Sequence, residues 1–554
     1  MRGRDVFMES LEAHGVTHIF GNPGTTESPL LDALADHPSI SYVTHLHEGV
    51  AVGAAGYYAR AADRPAVVSL HVAPGLGNGI GMIYGALKAR APIVVTAGQQ
   101  DTRMLRHEPV LSHDLAAMAA PVTKWSTQIQ TADEVDDVLR RAFKIALDPP
   151  CGPVFVAVPI NVMEQDTELA ATAPGASFRA GAPDPDGLAQ AAELVASAQR
   201  PVIVVGDDVG RAGAVADLVR LAERIGAPVW REGIRGAVSF PTAHPLARAG
   251  LPFDDLAVRR TLGDTDLVIL LGGPFFESVW YAPESPIPTG ARVLQIEASA
   301  GPLGINHTPD VGLVADLGIA LPALDAAVAS SVDGAWAAGA AEGVRRLAEE
   351  RSASDESYRA RVEATWDRMP ISIPRVMTEL RAATPDDAVI VEESITGSTD
   401  FATCFQLDVG DSYLGPRGGG IGQAVAGAIG AAVAHPDRPV LCVTGDGSAM
   451  YSIQALWTAA HHGLDIVFAV LANREYRVLK HNLDIFRERF DAKSDEPYPE
   501  MDLDLPVIGY VELAAGMGVS GERVTKPDEV GPALERAFAA GGPRVVEIEI
   551  EGKR

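Results

Sequence analysis

The sequence predicts an α/β protein of three doubly wound parallel sheets, and two observations carry this prediction. Short apolar runs rich in β-branched residues, such as 66–70, 201–206 and 439–445, alternate with helical stretches rich in alanine and leucine. Continuous apolar strands that alternate with helices are typical of parallel sheets with both faces covered. The chain also has 554 residues, enough for three or four domains of about 150 residues each.

Each predicted strand is a short run rich in apolar and β-branched residues that is followed by a turn and then a helical stretch. The predicted strands are 66–70, 92–98, 153–158, 201–206, 266–273, 292–298, 388–393, 439–445 and 466–473. The longest apolar stretch, 418–434, consists mostly of glycine and alanine and is stopped by His435 and Pro436. It is about as long as a short membrane span, but because of this composition and this abrupt end we predict a helix packed tightly inside an α/β core.

Two changes in composition divide the chain. Residues 168–186 show little periodicity, and residues 330–357 are charged and alanine-rich and lead into a helix. We therefore predict domains over residues 1–180, 185–335 and 360–554. The first and third carry a glycine-rich loop after a strand, which indicates two copies of one architecture.

Composition and charge exclude several function classes. The 45 Lys and Arg residues against 73 Asp and Glu residues give a net charge of −28, which opposes binding to nucleic acid or to an anionic membrane. The three cysteines, Cys151, Cys404 and Cys442, form no C-x-x-C pair, which argues against a disulfide framework or a zinc ribbon. The N-terminal residues lack the apolar core of a signal peptide. We expect a cytoplasmic protein with neither a nucleic-acid nor a membrane partner.

A potential metal and phosphate site lies in the third domain. Strand 439–445 leads into Gly445-Asp446-Gly447-Ser448, and the next strand ends at Asn473, 27 residues after Asp446. Ligands bind at the carboxyl ends of such strands, and carboxylate, amide and carbonyl oxygens suit Mg²⁺ or Ca²⁺. Because the helix that follows the glycines favours a phosphate at its N-terminus, the pattern indicates a metal-bound diphosphate. The alternative is a simple tight turn.

A second constellation lies in the first domain. Glu48 opens a helix of small residues, and two glycine-rich loops, 21–27 and 71–79, flank it in sequence. Glu48 could simply complement the helix dipole. The pairs His45-x-His47 and His461-His462 could suggest zinc, but no third ligand recurs at a suitable spacing.

Together these motifs resemble the thiamine diphosphate (ThDP) enzymes, and over nearly the whole length the chain is similar to the benzoylformate decarboxylases. The G-D-G unit is followed at the family's spacing by Asn473, with Ala472 in place of the family's first asparagine. The resemblance implies three metal ligands: Asp446, Asn473 and the main-chain carbonyl of Glu475. It also implies that Ile421 props the cofactor into a bent shape and that Glu48 bonds its aminopyrimidine ring.

The same resemblance implies further site residues. The catalytic residues are Glu48, His71 and Thr25, whereas Val279 stands where these relatives carry a second catalytic histidine. The implied cofactor-binding residues are Thr396, Gly419, Gly420, Ile421, Gly445, Gly447, Ser448, Tyr476 and Val478.

The resemblance implies ThDP- and Mg²⁺-dependent (or Ca²⁺-dependent) non-oxidative decarboxylation of a benzoylformate-like 2-oxo acid to an aldehyde, with carboligation as a possible second outcome. It implies a homodimer or homotetramer with the sites at the subunit interface. One alternative is a carboligase like acetolactate synthase, or a 2-hydroxyacyl-CoA lyase. Another is a non-catalytic regulatory or binding subunit, against which the retention of Glu48, His71, Asp446 and Asn473 argues. FAD, which acetolactate synthases often hold in the middle domain, is not expected here, although the sequence does not exclude it.

Overall fold

The computed structural model describes residues 1–175, 181–408, 412–494 and 496–552. It contains three six-stranded sheets whose strands pair in parallel, with helices on their faces. The predicted fold class is therefore confirmed, and all nine predicted strands are present within two residues of their predicted bounds. The predicted domain boundary at residue 180 and the last two residues of the chain lie outside the described residues.

The first and third sheets share one strand order, as expected for two copies of one architecture. The first sheet has the order β2-β1-β3-β4-β6-β5 and the third the order β14-β13-β15-β16-β18-β17. The strands of the first sheet are β1 His18–Gly21, β2 Ser41–Thr44, β3 Ala66–Leu70, β4 Ile93–Gln99, β5 Ser126–Gln128 and β6 Val154–Pro159. Those of the third are β13 Val389–Glu393, β14 Tyr413–Leu414, β15 Val440–Gly445, β16 Ile466–Ala472, β17 Ser520–Val524 and β18 Arg544–Glu549.

The middle sheet has a different order, β12-β11-β10-β7-β8-β9. Read from its other edge, this is the order 3-2-1-4-5-6 of doubly wound nucleotide-binding folds. Its strands are β7 Pro201–Val205, β8 Val229–Arg231, β9 Ala247–Gly250, β10 Leu267–Leu271, β11 Arg292–Glu297 and β12 Val311–Val314.

The helices lie between and beside these strands. Those of the first third are α1 Gly3–Ala13, α2 Ser28–Ala33, α3 Glu48–Ala61, α4 Val72–Lys88, α5 Leu115–Ala119, α6 Val135–Leu147 and α7 Ile160–Met163. Those of the middle are α8 Pro185–Ala196, α9 Asp207–Arg211, α10 Val215–Ile225, α11 Asp255–Leu262, α12 Leu317–Ser331 and α13 Gly334–Ala364. Those of the last third are α14 Ile373–Ala383, α15 Ser398–Cys404, α16 Gln423–Ala434, α17 Asp446–Met450, α18 Ala455–His461, α19 Arg477–Phe490, α20 Tyr510–Gly516 and α21 Val530–Ala540. Among the described helices, none combines the length and the apolar composition that crossing a bilayer requires.

The chain forms two compact units. One contains Met1–Ser177, Asp367–Thr396 and Pro416–Arg554, and the other contains Phe178–Trp366 and Gly397–Gly415. The first sheet and most of the third sheet therefore belong to one unit, although more than 180 residues separate them in sequence.

Helices α3 and α16 pack closely inside the first unit. A Cβ atom at Gly430 would lie 1.9 Å from the carbonyl oxygen of Ala54, and one at Gly53 would lie 2.8 Å from the Cβ of Ala426. Only glycine allows such an approach of two helix backbones. The predicted internal helix is thus present as α16, and its first ten residues are all buried.

A buried histidine follows β2 in the same unit. His45 is 1% exposed, and its Nδ1 lies 3.3 Å from the hydroxyl of Thr458 in α18. Its Nε2 is buried and has no hydrogen-bond partner among the described residues. Burial, with a smaller contribution from the nearby His462, lowers the pKa of His45 to about 3, because a charged imidazole would lose its hydration there.

We predict that His45 makes the protein sensitive to acid. An unfolded histidine titrates near pH 6.5 and the folded one near 3, so the stability contributed by neutral His45 is complete above about pH 6.5 and is lost as the pH falls towards 3. Between pH 7 and pH 5 this loss amounts to about 2 kcal/mol in the free energy of unfolding. Urea unfolding should show a shallower pH dependence for His45→Gln than for the wild type. The exposed His113→Gln should retain the wild-type dependence, and an equally steep curve for His45→Gln would contradict the prediction.

Candidate active site

Glu48 is the first residue of α3 and is 8% exposed. The preceding His47 caps the helix, because its Nδ1 accepts a hydrogen bond from the backbone N–H of Gly49 at 3.0 Å. Glu48 Oε2 accepts a hydrogen bond from Asn78 Nδ2 of α4 at 3.0 Å. Within the described residues, Glu48 makes no hydrogen bond to the turn Gly445–Ser448. The carboxyl group is thus held in place by α4 while Oε1 is available to another group.

A buried carboxylate holds the imidazole of His71. Glu27 Oε2 lies 2.8 Å from His71 Nδ1, and the Glu27 side chain is 3% exposed. This carboxylate also accepts hydrogen bonds from the Thr26 hydroxyl at 2.9 Å and from the backbone N–H groups of Gly98 at 2.8 Å and Gly24 at 3.0 Å. Because an ionised carboxylate only accepts hydrogen bonds, His71 Nδ1 carries a hydrogen. Nε2 is then the nitrogen that can accept or donate a proton.

The hydroxyl beside His71 belongs to Thr26, whereas the predicted catalytic Thr25 is exposed. Thr26 Oγ1 lies 3.3 Å from His71 Nδ1 and the residue is 4% exposed. Sequence reasoning named neither Thr26 nor Glu27. The spacing could have revealed Glu27, which follows a glycine by three residues, as in a turn where a carboxylate folds back onto the backbone N–H.

Asp446, the aspartate that the resemblance implies as a metal ligand, lies at the carboxyl end of a strand. Asp446 directly follows β15, is 4% exposed, and accepts hydrogen bonds from the backbone N–H groups of Gly447 at 2.8 Å and Arg474 at 2.6 Å. The Tyr510 hydroxyl donates to its carbonyl oxygen at 2.8 Å. Burial raises the pKa of Asp446 to about 6, although both N–H groups act in the opposite direction. A divalent cation would supply the positive charge that this buried carboxylate lacks.

The other two predicted ligands follow β16 in the same loop. Asn473 Oδ1 accepts a hydrogen bond from the backbone N–H of Glu475 at 3.1 Å, so the two residues form one compact turn with Arg474 between them. One carboxylate, one amide oxygen and one carbonyl oxygen make a donor set that fits Mg²⁺. Within the described ranges, no three His, Cys, Asp or Glu side chains are grouped as metal ligands.

Buried Glu393 organises the glycine-rich loop that contains Ile421. The carboxylate at the end of β13 accepts hydrogen bonds at 2.7 Å from the backbone N–H groups of Gly422 and Ala424. Burial raises its pKa to about 7, and the hydrogen bonds from Ala424, Gly422 and Ser448 partly offset this effect. Ile421 is half-buried directly before this anchor. Sequence reasoning did not identify Glu393, because a glutamate that ends an apolar strand carries no local signal of its partners.

Strained backbone adjoins three of the predicted residues. Val72, Ile395 and Arg474 adopt positive φ angles of 44°, 51° and 59°, and they are neighbours of His71, Thr396 and Asn473 respectively. Such conformations cost of order 1–3 kcal/mol for residues other than glycine and persist only where the surroundings impose them. The site therefore includes backbone turns that local sequence preference alone would not produce.

Three of the four glycines predicted to contact the cofactor border open space. Among the described residues, a Cβ atom at Gly445 or Gly419 would meet no atom within 4 Å, and one at Gly420 would meet only the Gln423 side chain at 3.8 Å. The ring of Tyr476 packs against the turn, since a Cβ at Gly447 would lie 2.7 Å from it. Backbone that lies open beside the carboxylate of Asp446 suits a metal-bound diphosphate, because glycines allow the phosphate oxygens to approach the main chain closely.

The remaining predicted cofactor-binding residues lie in the same unit. Thr396 is exposed in a short turn after β13, Val478 is half-buried in the first turn of α19, and Ser448 is buried beside Glu393. Val279 lies in the other unit and is 64% exposed.

Three family models of thiamine pyrophosphate enzymes match the chain. The N-terminal TPP binding domain matches residues 1–120, the central domain residues 188–324 and the C-terminal TPP binding domain residues 396–548.

Individual relatives match over almost the full length. The chain is 33% identical to a benzoylformate decarboxylase of Pseudomonas aeruginosa, over 98% of this chain and 97% of that one. It is 28% identical to an acetolactate synthase large subunit of Parasynechococcus marenigrum, over 99% of this chain and 87% of that one. The solved structure of a 4-hydroxybenzoylformate decarboxylase of Rhodococcus jostii RHA1 is similar with a TM-score of 0.85 and 31% identity, over all of both chains.

We predict that filling the cradle at Gly445 prevents cofactor binding without unfolding the protein. Gly445 has φ −74° and ψ 155°, which any residue adopts, so Gly445→Val should fold normally while its side chain enters the open space. Isothermal titration with ThDP and Mg²⁺ should show affinity weaker by at least about tenfold. Gly516→Ala, at another glycine with no atom within 4 Å, should retain wild-type affinity. Unchanged affinity in Gly445→Val would place the diphosphate elsewhere.

Proposed function

The chain belongs to the thiamine pyrophosphate enzymes of the decarboxylase and acetolactate synthase superfamily, and on this basis we propose that it decarboxylates a benzoylformate-like 2-oxo acid to an aldehyde. The observation that carries the proposal is the pairing of His71 with buried Glu27 at 2.8 Å. His71 matches the catalytic histidine that the resemblance to benzoylformate decarboxylases implies. Glu27 orients this histidine for proton transfer.

Residues around the third sheet would hold the diphosphate end of the cofactor. Asp446, Asn473 and the carbonyl of Glu475 would bind Mg²⁺, the cradle at Gly445 would receive the diphosphate, and Ile421 would contact the cofactor. When bound, ThDP supplies the carbon nucleophile and the electron sink for loss of CO₂ from a 2-oxo acid.

The protein manages protons around this cofactor. Glu48 Oε1, left available beside Asn78, would bond the pyrimidine ring. His71, when protonated at Nε2, would bond the substrate carboxylate, and Glu27 would stabilise this imidazolium. After CO₂ has left, Nε2 would give its proton to the reacting carbon, which leaves the imidazole neutral. Thr26, through its hydrogen bond to Glu27, would help to keep the imidazole in position. We also propose that Thr25 is a catalytic residue, as the resemblance implies.

The proposed active form is a homodimer, or a homotetramer, with the sites at the subunit interface. Glu48 bonds Asn78 within its own chain and, among the described residues, makes no hydrogen bond to the Gly445–Ser448 turn. A second copy would bring its own turn to Glu48. A cytoplasmic location accompanies the proposal, because the three scattered cysteines do not suggest the disulfide framework of a secreted protein.

A carboligase of the acetolactate synthase type is the second candidate. The 28% identity to an acetolactate synthase large subunit over 99% of the chain supports it, and so does Val279 in place of a second histidine. An apolar side chain cannot transfer protons, so the final protonation that releases an aldehyde would depend on His71.

We expect CO₂ release that requires both ThDP and Mg²⁺, with benzoylformate preferred over pyruvate and branched-chain 2-oxo acids. The measurement is CO₂ release from each acid, with products identified by mass and chelator-treated enzyme as the blank. Benzaldehyde as the main product would support the decarboxylase, and an acyloin as the main product would move the function to carboligation. No release from any acid would refute both.

We predict that Glu48→Gln lowers CO₂ release by about 100-fold or more. The amide preserves the shape of the side chain and its contact with Asn78 but cannot hold or release a proton in the same way. ThDP affinity in the presence of Mg²⁺, measured by titration, should change by no more than a few fold. The exposed Glu193→Gln should behave as wild type, and full turnover in Glu48→Gln would refute a catalytic role for this residue.

A further inference from the structure

Residues 474–476, in the loop that contains the proposed metal ligand Glu475, pair with residues 501–503, which follow α19. Glu475 and Asp502 form an isolated antiparallel bridge. The backbone N–H of Tyr476 donates to the carbonyl of Met501, and that of Leu503 donates to the carbonyl of Arg474, both at 2.8 Å. The orientation of the Glu475 main chain therefore depends on where residues 501–503 lie.

One lysine joins the two sides of this bridge. Lys480 Nζ, in the first turns of α19, donates to Glu475 Oε2 at 2.5 Å and to Asp502 Oδ1 at 2.6 Å. It also lies 5.4 Å from the centre of the Tyr498 ring. The side chains of Lys480 and Glu475 are 5% and 0% exposed, whereas that of Asp502 is 47% exposed. The ion pair between Lys480 and Glu475 is thus fully internal.

The carboxylates of Glu475 and Asp502 fix the position of the Lys480 amine. Two carboxylates, those of Glu475 and Asp502, lie within hydrogen-bond distance of this one buried amine, so its charge is paired. Glu475 Oε1 has no hydrogen-bond partner in the described part of the chain. Lys480 is accordingly the cation that neutralises a second buried carboxylate behind the metal ligand Asp446.

We propose that Lys480 is a positioning residue of the metal site, which holds the Glu475 carbonyl towards the metal by tying Glu475 to Asp502. This inference rests on the proposed function, because it assumes that the Glu475 carbonyl is a metal ligand. Removal of a group that orients a metal ligand without contacting the metal typically weakens metal affinity by about 10–100-fold.

Mn²⁺ serves as the probe, because its free and bound forms are distinguished by electron paramagnetic resonance without turnover. Full-length wild type, Lys480→Met and the double variant Glu475→Gln/Lys480→Met are titrated with Mn²⁺ in the presence of ThDP, and their melting temperatures are measured without metal. Lys480→Met leaves a buried carboxylate unpaired, so it should lose stability. The double variant removes both charges and should recover stability. In both variants the Mn²⁺ affinity should be at least about tenfold weaker than in wild type.

The double variant separates positioning from stability. If it recovers both its melting temperature and a Mn²⁺ affinity within about threefold of wild type, the role of Lys480 is structural and the proposal is wrong; unchanged affinity in Lys480→Met also overturns it. The matched control is Lys493→Met, an exposed lysine beyond the same helix, which should retain wild-type affinity. A wild type without any ThDP-dependent Mn²⁺ site would instead overturn the proposed cofactor site together with this inference.

Discussion

The close packing of α3 against α16 is the constraint on which the first unit depends. Gly430 and Gly53 let the two helix backbones approach to distances that any side chain would prevent. Each helix begins at a predicted site residue: α3 starts with Glu48, and α16 starts directly after the loop that carries Ile421. Because close-packed helices leave little room for sliding, this contact determines where both elements lie. The chemistry is therefore positioned by residues that have no chemical role.

Buried carboxylates organise the loops around that helix pair. Glu27 accepts hydrogen bonds from His71, from Thr26 and from two backbone N–H groups. Glu393 accepts hydrogen bonds from two backbone N–H groups of the glycine-rich loop. Glu475 forms an ion pair with Lys480. A charge removed from water is costly unless it is fully hydrogen-bonded or paired. Each such carboxylate therefore imposes a specific arrangement on its donors, and the strained backbone beside His71 and Asn473 is held in that arrangement.

The sequence predicted the central strands well because both faces of those strands are buried. Runs such as Ala66–Leu70 are apolar at every position, which is readable without knowledge of their neighbours. Strands at or near sheet edges carry no such signal: β2 and β17 alternate or are largely exposed, and β14 has two residues. Their pairing is decided by the strand beside them.

The sequence by itself determined the fold class, the shared architecture of the first and third sheets, and the placement of Asp446 and Asn473 at the carboxyl ends of the neighbouring strands β15 and β16. Hydrophobic periodicity and chain spacing encode these features locally. Only the tertiary structure decided that Thr26 and Glu27 adjoin His71, that Glu393 anchors the loop of Ile421, and that Lys480 joins Glu475 to Asp502. These contacts link residues from different elements, up to 71 positions apart in the case of Glu27 and Gly98. Whether a polar side chain finds a partner inside a protein depends on which elements the folded core brings together, and no local pattern records that.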